Sequence, residues 1–333
     1  MINRRLRFVL NSHGLGFDKY SMLCIKSIRY VCGNDVLVSA YCPTNLPPPS
    51  DRALRFYERH NVDVVSFHNE FLPDKLTDLH SVPARHLTYN KLYTLHGIEE
   101  GERRIFVDAD IIFLRDPLPY LTSISEPAAC VAVDTPESFS DDWRALYQRL
   151  NVPFPSETIE VWKTYVYGNA PEPAKVMIPP FLSSGVICAD HRSSLPMHWL
   201  EVCREIEGDI KLLSRSFFVD QVGLSVALQK TGQPWHLLPR KFNTTYEVWR
   251  FVDDPVFFHY VTLDALAAGT ARFPRPKQVM NEIVPRLARE DGLDLRFQLL
   301  TQWPRWYRRG LGILSRYTER FIGRTLVARR ERT

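Results

Sequence analysis

The run Arg103-Arg104-Ile105-Phe106-Val107-Asp108-Ala109-Asp110-Ile111-Ile112-Phe113-Leu114 constrains this chain more than any other stretch. Ile105, Phe106 and Val107 have the β-branched and aromatic content of a buried strand. The strand ends on two carboxylates separated by one residue. Open α/β sheets bind ligands in the crevice outside the carboxyl ends of such strands. Two hard oxygen ligands at that place suit Mg²⁺ or Mn²⁺, ions commonly held by one or two carboxylates together with substrate phosphates. An isolated Asp-x-Asp has a plain alternative, a strand-to-turn boundary whose aspartates cap the turn, so the rest of the chain decides.

Upstream, strand and helix alternate. Phe8-Val9-Leu10 reads as a first strand followed by the polar turn Asn11-Ser12-His13-Gly14. Met22, Ile25, Ile28 and Val31 then fall at helical spacing within Tyr20 to Val31. Val36 to Tyr41 forms a second strand, ended by the proline-rich loop Pro43 to Pro49. Asp51 caps a helix running to His60, and Val62 to Phe67 is a third strand. Leu87 to Leu95 gives a short helix leading into the acidic strand. This order predicts an α/β, Rossmann-like, mostly parallel mixed sheet flanked by helices.

The stretch 134–180 differs in kind, being rich in aromatic residues and prolines, and reads as a functional insertion. Alternation resumes with a strand at Val186-Ile187-Cys188, helices over Leu195 to Ile206 and Asp220 to Lys230, and strands at Trp235 to Leu238 and Val256 to Tyr260. The expected organisation is a catalytic domain over 1–270 and a helical, basic extension over 271–333.

Four further elements stand where such a sheet presents residues to one crevice. Phe181-Leu182-Ser183-Ser184-Gly185-Val186-Ile187 places two hydroxyls and a glycine before a buried strand, where backbone can approach a ligand closely. Asp220-Gln221 puts an acid and an amide at a helix start. His259 lies in an apolar strand. Tyr89-Asn90-Lys91 precedes the acidic strand, from where Lys91 could reach a phosphate.

In this order the motifs resemble the nucleotide-sugar glycosyltransferases of GT-A fold, and within them the retaining family 8 that includes bacterial galactosyltransferases and glycogenin. The likeness runs over roughly residues 6–262: Phe8 to Gly14, Val107-Asp108-Ala109-Asp110, Ser183-Ser184-Gly185-Val186, Asp220-Gln221 and Phe258-His259-Tyr260. It implies Mn²⁺ or Mg²⁺ on Asp108, Asp110 and His259. It implies a donor pocket formed by Asn11, Ser12, His13, Lys91, Asp108, Ala109, Ser184 and Gly185. It lines the sugar pocket with Asp220 and Gln221 and sets the glutamine close to the reacting anomeric carbon. The family follows its histidine with glycine and Lys-Pro-Trp, whereas this chain reads Tyr260-Val261-Thr262-Leu263-Asp264. The diphosphate contact then falls to Lys91, Arg85 or Lys277.

The expected reaction is transfer of a hexose from a nucleoside diphosphate sugar, a UDP-sugar foremost, to a saccharide or glycolipid acceptor in cell-surface polysaccharide or lipopolysaccharide synthesis. Retention needs no strong base, because the departing phosphate can take the acceptor proton. Inversion needs a carboxylate near the acceptor hydroxyl, with Asp134 and Asp190 as candidates. The aromatic insertion is the expected acceptor platform, with Trp143 and Trp162 foremost. Two alternatives stay open: a phosphatase or phosphotransferase of the haloacid dehalogenase kind, which also uses Asp-x-Asp but near its first strand, and a sugar-nucleotide-binding protein without turnover.

Residues 301–333 hold nine Arg and two Glu, while the whole chain carries only +4, so the body is slightly acidic. Arg316, Arg320 and Arg324 share one helical face and Leu314, Tyr317 and Phe321 another. A basic amphipathic helix suits an anionic membrane surface and a lipid-linked acceptor. No nucleic-acid motif accompanies it. Six scattered cysteines without close pairs read as buried thiols in a reducing compartment. With no run long enough for a signal core or a spanning helix, the expected location is cytoplasmic, peripheral on the inner face of the membrane.

Overall fold

The computed structural model describes residues 5–14, 16–76, 82–133, 141–163, 174–209, 219–245, 248 and 252–293. The chain divides into two compact units, Met1–His259 and Tyr260–Thr333.

The first unit is built on a sheet whose strands are β1 (Arg5–Asn11), β2 (Leu37–Pro43), β3 (Val62–Phe67), β4 (Glu102–Val107), β6 (Ala128–Ala132), β9 (Leu182–Asp190) and β10 (Trp235–Leu238). Their spatial order is β10-β6-β9-β4-β1-β2-β3. β1 pairs in parallel with β2 and with β4, β2 with β3, and β10 with β6. β9 is the exception, antiparallel to both β4 and β6. The central strands are buried along nearly their whole length, as expected of parallel strands covered on both faces.

Helices α1 (Asp18–Cys32) and α2 (Asp51–Arg59) fill the crossovers between β1, β2 and β3. Asp51 was the expected cap of α2, but Ser50 takes that place, its hydroxyl accepting from the Ala53 N–H. Asp51 instead occupies the first turn, where its charge favours the helix dipole. The expected helix over 87–95 is α3 (Ala84–Thr88) followed by a 3₁₀ turn, Tyr89–Tyr93. Beyond β4 come β5 (Ile111–Phe113) and α4 (Leu118–Ser123), and the expected insertion holds α5 (Asp141–Arg149) and the hairpin β7 (Ile159–Lys163) and β8 (Ala174–Ile178). Helices α6 (Leu195–Glu207) and α7 (Val219–Thr231) pack on each other, and the Trp199 indole N–H donates to the Asp220 carbonyl at 2.8 Å.

A second, small sheet closes the crevice. It consists of β11 (Thr244–Thr245), β12 (Phe257–His259) and β5, in the order β11-β12-β5. Its antiparallel register sets His259 opposite Ile111, the residue that follows Asp110. All six cysteines are free thiols, Cys32 partly exposed and the others buried.

The second unit contains α8 (Leu263–Arg272), capped by Thr262 through the Ala265 N–H, and α9 (Pro274–Glu290). Val279, Ile283 and Leu287, four residues apart, form the buried stripe of α9. The basic stretch 303–330 lies outside the described residues. Among the described residues no helix is long and apolar enough to cross a membrane.

Candidate active site

Three ligand atoms converge at the carboxyl end of β4. Asp108, Asp110 and His259 each offer one atom, and these atoms lie within 4.8 Å of one another. His259 Nε2 is 3.2 Å from Asp110 Oδ1 and 3.9 Å from Asp108 Oδ2. The sheet positions explain the meeting. Asp108 leaves β4 with its N–H bonded to the Gly185 carbonyl at 2.9 Å, the chain turns at Asp110 into β5, and β12 lays His259 alongside. Two carboxylates and an imidazole are a donor set that would suit Mn²⁺ or Mg²⁺.

Gly185 makes this closeness possible. A Cβ built there would lie 3.0 Å from His259 Cε1 and 3.2 Å from Asp108 Oδ2. Here glycine is favoured by space and not by backbone conformation, since Gly185 is not in the left-handed region and any Cβ would have to push His259 or Asp108 aside by a few tenths of an ångström.

Behind the ligands lies a second polar layer. The buried Lys91 ammonium is 3.1 Å from Asp108 Oδ1 and 3.2 Å from Asp220 Oδ2, and it donates to Ser184 Oγ at 3.0 Å. Ser184 donates to Asp220 Oδ2 at 2.5 Å. The other Asp220 oxygen, Oδ1, is buried and has no hydrogen-bond partner among the described residues. Gln221 follows on the first turn of α7, partly exposed.

The charges set one another. Burial pushes the Asp108 carboxyl above the usual carboxylate range, and the nearby Lys91 charge offsets this only in part. Burial acts on Asp110 in the same direction, but the charge and hydrogen bond of His259 outweigh it and hold that carboxyl low. His259 is raised: burial opposes its protonation, and Asp110 with Asp108 more than compensates. Lys91 is likewise held charged, its burial outweighed by Asp108 and Asp220.

The loop after β1 forms another wall. The Asn11 Oδ1 is buried without a partner among the described residues. The Ser12 hydroxyl turns into the protein, 2.5 Å from the Tyr57 hydroxyl and 3.3 Å from that of Ser21. His13 stacks on Phe17 with ring centroids 4.5 Å apart, and burial lowers its pKa. Gly14 donates to the Pro47 carbonyl at 2.8 Å, which folds the proline-rich loop against this turn.

Of the other expected residues, Asp190 and Arg85 are engaged elsewhere. Asp190 is at the opposite end of the sheet, paired across from Arg103 at the start of β4, with Arg103 Nη2 at 3.1 Å and Arg192 Nη2 at 2.6 Å. An antiparallel β9 separates it from Ser184 by most of a strand length, so it cannot serve the crevice as a base. Arg85 is held by Glu207 at 2.8 Å. Lys277 belongs to the second unit. Trp143 packs edge-on against Phe181 at 5.1 Å. Asp134 and the side chain of Trp162 lie outside the described residues.

Sequence reasoning missed Asn243, whose amide stands between His259 and Ser183, and the buried pair Asn45 and Asn69, which bonds the loops after β2 and β3 to Asn90 on the 3₁₀ turn bearing Lys91. Neither has a spacing signature. Asparagines clustered at strand ends were the available hint.

Comparison with known proteins supplies a family and a fold. The family model for the Rhodobacterales glycosyltransferase domain matches residues 8–232. Among solved structures, the galactosyltransferase LgtC in complex with donor and acceptor sugar analogs is similar with a TM-score of 0.55 at 11% identity, over 86% of this chain and 99% of that one. An active-site mutant of LgtC gives 0.55 at 10% identity, over 84% and 95%. Mouse xyloside xylosyltransferase 1 gives 0.45 at 10% identity, over 77% and 97%. Among curated proteins no sequence matches.

Proposed function

The chain belongs to the Rhodobacterales glycosyltransferase domain family, and from that premise we propose a metal-dependent hexosyl transfer from a nucleoside diphosphate sugar, a UDP-sugar foremost, to a saccharide or lipid-linked acceptor. It is a glycosyltransferase of GT-A-like fold; donor, metal and acceptor are the proposal. The observation that carries it is the buried, unpartnered Asp220 Oδ1, one lysine away from the convergent ligands Asp108, Asp110 and His259. A buried carboxylate oxygen without a donor is costly unless a ligand supplies one. A sugar hydroxyl is such a donor, and the metal ligands next to it suit the diphosphate of the same molecule.

In this reading Asp108, Asp110 and His259 hold Mn²⁺ or Mg²⁺, which supplies a Lewis acid for the charge that grows on the leaving diphosphate. Asp220 accepts from a sugar hydroxyl and, through Lys91, stays fixed relative to Asp108. Gln221 presents its amide to the anomeric side. The glycosidic bond to phosphate breaks as the acceptor oxygen forms its bond on the same face, and the departing phosphate takes the acceptor proton. Retention is favoured because Asp190, one of the two expected bases, is bound to Arg103 and Arg192 at the far end of the sheet. Asn11 and His13 border the space for the base and ribose. The arginine pattern of residues 303–330 supports peripheral attachment to an anionic membrane, with a glycolipid acceptor of cell-surface polysaccharide synthesis.

The test is thermal stabilisation of the full chain by UDP-galactose, UDP-glucose and other nucleotide sugars, with and without Mn²⁺, and donor hydrolysis by the same panel. Stabilisation and hydrolysis that require Mn²⁺ and vanish in Asp110→Asn are expected. Metal-independent binding of every donor, or an Asp110→Asn chain with unchanged hydrolysis, would refute the proposal.

A further inference from the structure

We infer that Asn243 is a positioning residue that fixes the ring of His259 so that its Nε2 lone pair faces the metal. The inference rests on the metal reading above and extends it to a residue outside the ligand set.

Asn243 is buried, 3% exposed, between the 3₁₀ turn Arg240–Phe242 and β11. The parallel pairing of β11 with β12 sets Thr244 across from Phe258 and Thr245 across from His259, which brings the preceding Asn243 beside the imidazole. Its amide bridges two parts of the crevice. Asn243 Nδ2 donates to Ser183 Oγ at 2.9 Å, and Asn243 Oδ1 is 3.0 Å from His259 Nδ1. Ser183 Oγ also accepts from the Gly185 N–H at 3.2 Å.

The direction of these bonds matters. A backbone N–H can only donate, so the Ser183 oxygen accepts from Gly185. With the amide NH₂ spent on the same oxygen, the amide carbonyl is left for the imidazole, and a carbonyl can only accept. His259 Nδ1 therefore carries a hydrogen. In the neutral ring that leaves Nε2, the nitrogen facing Asp110 and Asp108, as the ligand atom. The reverse amide orientation would put the hydrogen on Nε2 and leave no lone pair for an ion. Outer partners of this kind orient a metal-binding histidine, and their loss typically weakens metal binding 10–100-fold. Asn243 differs from a simple prop in its second bond. It ties the metal ligand to the Ser183-Ser184-Gly185 turn, whose next hydroxyl contacts Lys91 and Asp220.

The experiment is Mn²⁺ titration of the full chain by electron paramagnetic resonance, with and without UDP, on wild type, Asn243→Leu, Asn243→Asp and His259→Ala. Asn243→Leu, which cannot accept, is expected to weaken Mn²⁺ binding about 10–100-fold. Asn243→Asp keeps an acceptor for the Nδ1 hydrogen, and for the Ser183 hydroxyl as well, and is expected to stay within about threefold of wild type. Equal weakening in both variants, or wild-type affinity in Asn243→Leu beside a clear loss in His259→Ala, would overturn the role of Asn243 and leave the metal site standing. Unchanged affinity in His259→Ala would overturn the metal reading itself. Should Asn243→Leu not fold, the wild-type ring decides: ¹⁵N-histidine spectra with Mg²⁺ bound should show His259 hydrogen on Nδ1, and hydrogen on Nε2 would refute the inference.

Discussion

Replacing Lys91 by methionine keeps the length of a buried side chain and removes its charge. In the wild type that ammonium is within 3.3 Å of Asp108, Asp220 and Ser184, and it lies over the Phe106 ring, 5.6 Å from the centroid. Methionine fills a similar volume and leaves two buried carboxylates without their shared cation. Removing one partner of a buried ion pair costs about 3–5 kcal/mol. The upper end is limited by protonation, because burial already raises Asp108 and each further tenfold change in its proton affinity corresponds to about 1.4 kcal/mol. With an unfolding entropy of about 2.1 cal/mol/K per residue over a unit of 259 residues, a loss of about 4 kcal/mol lowers Tm by roughly 7 °C. Calorimetry at pH 7 measures it. The charge argument makes a sharper claim about Mn²⁺: the ion restores positive charge beside Asp108, so the Tm gap between wild type and Lys91→Met should narrow as Mn²⁺ is added. A fall below about 2 °C, or a gap that Mn²⁺ leaves untouched, would refute the view of Lys91 as the counter-ion of this crevice.

Other perturbations separate space from charge. Gly185→Ala inserts a methyl 3.0 Å from His259 Cε1 and 3.2 Å from Asp108 Oδ2; overpacking of about 1–3 kcal/mol and at least a tenfold weaker Mn²⁺ affinity are expected by calorimetry and resonance titration. Asp190 has its pKa lowered, burial being outweighed by Arg192 and Arg103. Its ionisation therefore stabilises fully above the unfolded value of about 3.9, and that stability is lost as pH falls through the folded value. The Tm difference between wild type and Asp190→Asn should be level from pH 5 to 7 and shrink below about pH 4 in a pH series. Truncation after residue 300 should abolish sedimentation with vesicles rich in anionic lipid, each arginine near such a surface contributing roughly 1 kcal/mol; retention on the vesicles would discount the tail.

Much of the first unit was legible because its strands are short apolar runs with turn residues at their ends. Phe8-Val9-Leu10, Ile105-Phe106-Val107 and Val186-Ile187-Cys188 all lie in buried strands of the sheet. Periodicity says which residues are buried, but not which strand lies beside which. Asp190 shows the difference: in sequence it is as good a base as Asp134, and only the antiparallel course of β9 puts it across from Arg103. Lys91 was expected on a helix, within reach of a phosphate; its ammonium lies against Asp108 and also against Asp220, a contact that spans more than a hundred residues of chain. Ser12 has the composition of a ligand loop, while its hydroxyl satisfies Tyr57. Strands as short as β11 and β5 carry too few residues for a period, so the sheet that delivers His259 could not be read from spacing.

The reversed direction of β9 has a further consequence. β6 ends at Ala132 and β9 begins at Leu182, and these two residues are neighbours in the register. The chain from 133 to 181 is therefore a detour between adjoining strand ends on the crevice side of the sheet. Its side chains Leu146, Tyr147, Val161 and Phe181 are buried in the same core as Ala132, Leu182 and Ile187, so a stretch that reads in the sequence as an insertion is packed into the body of the sheet it interrupts.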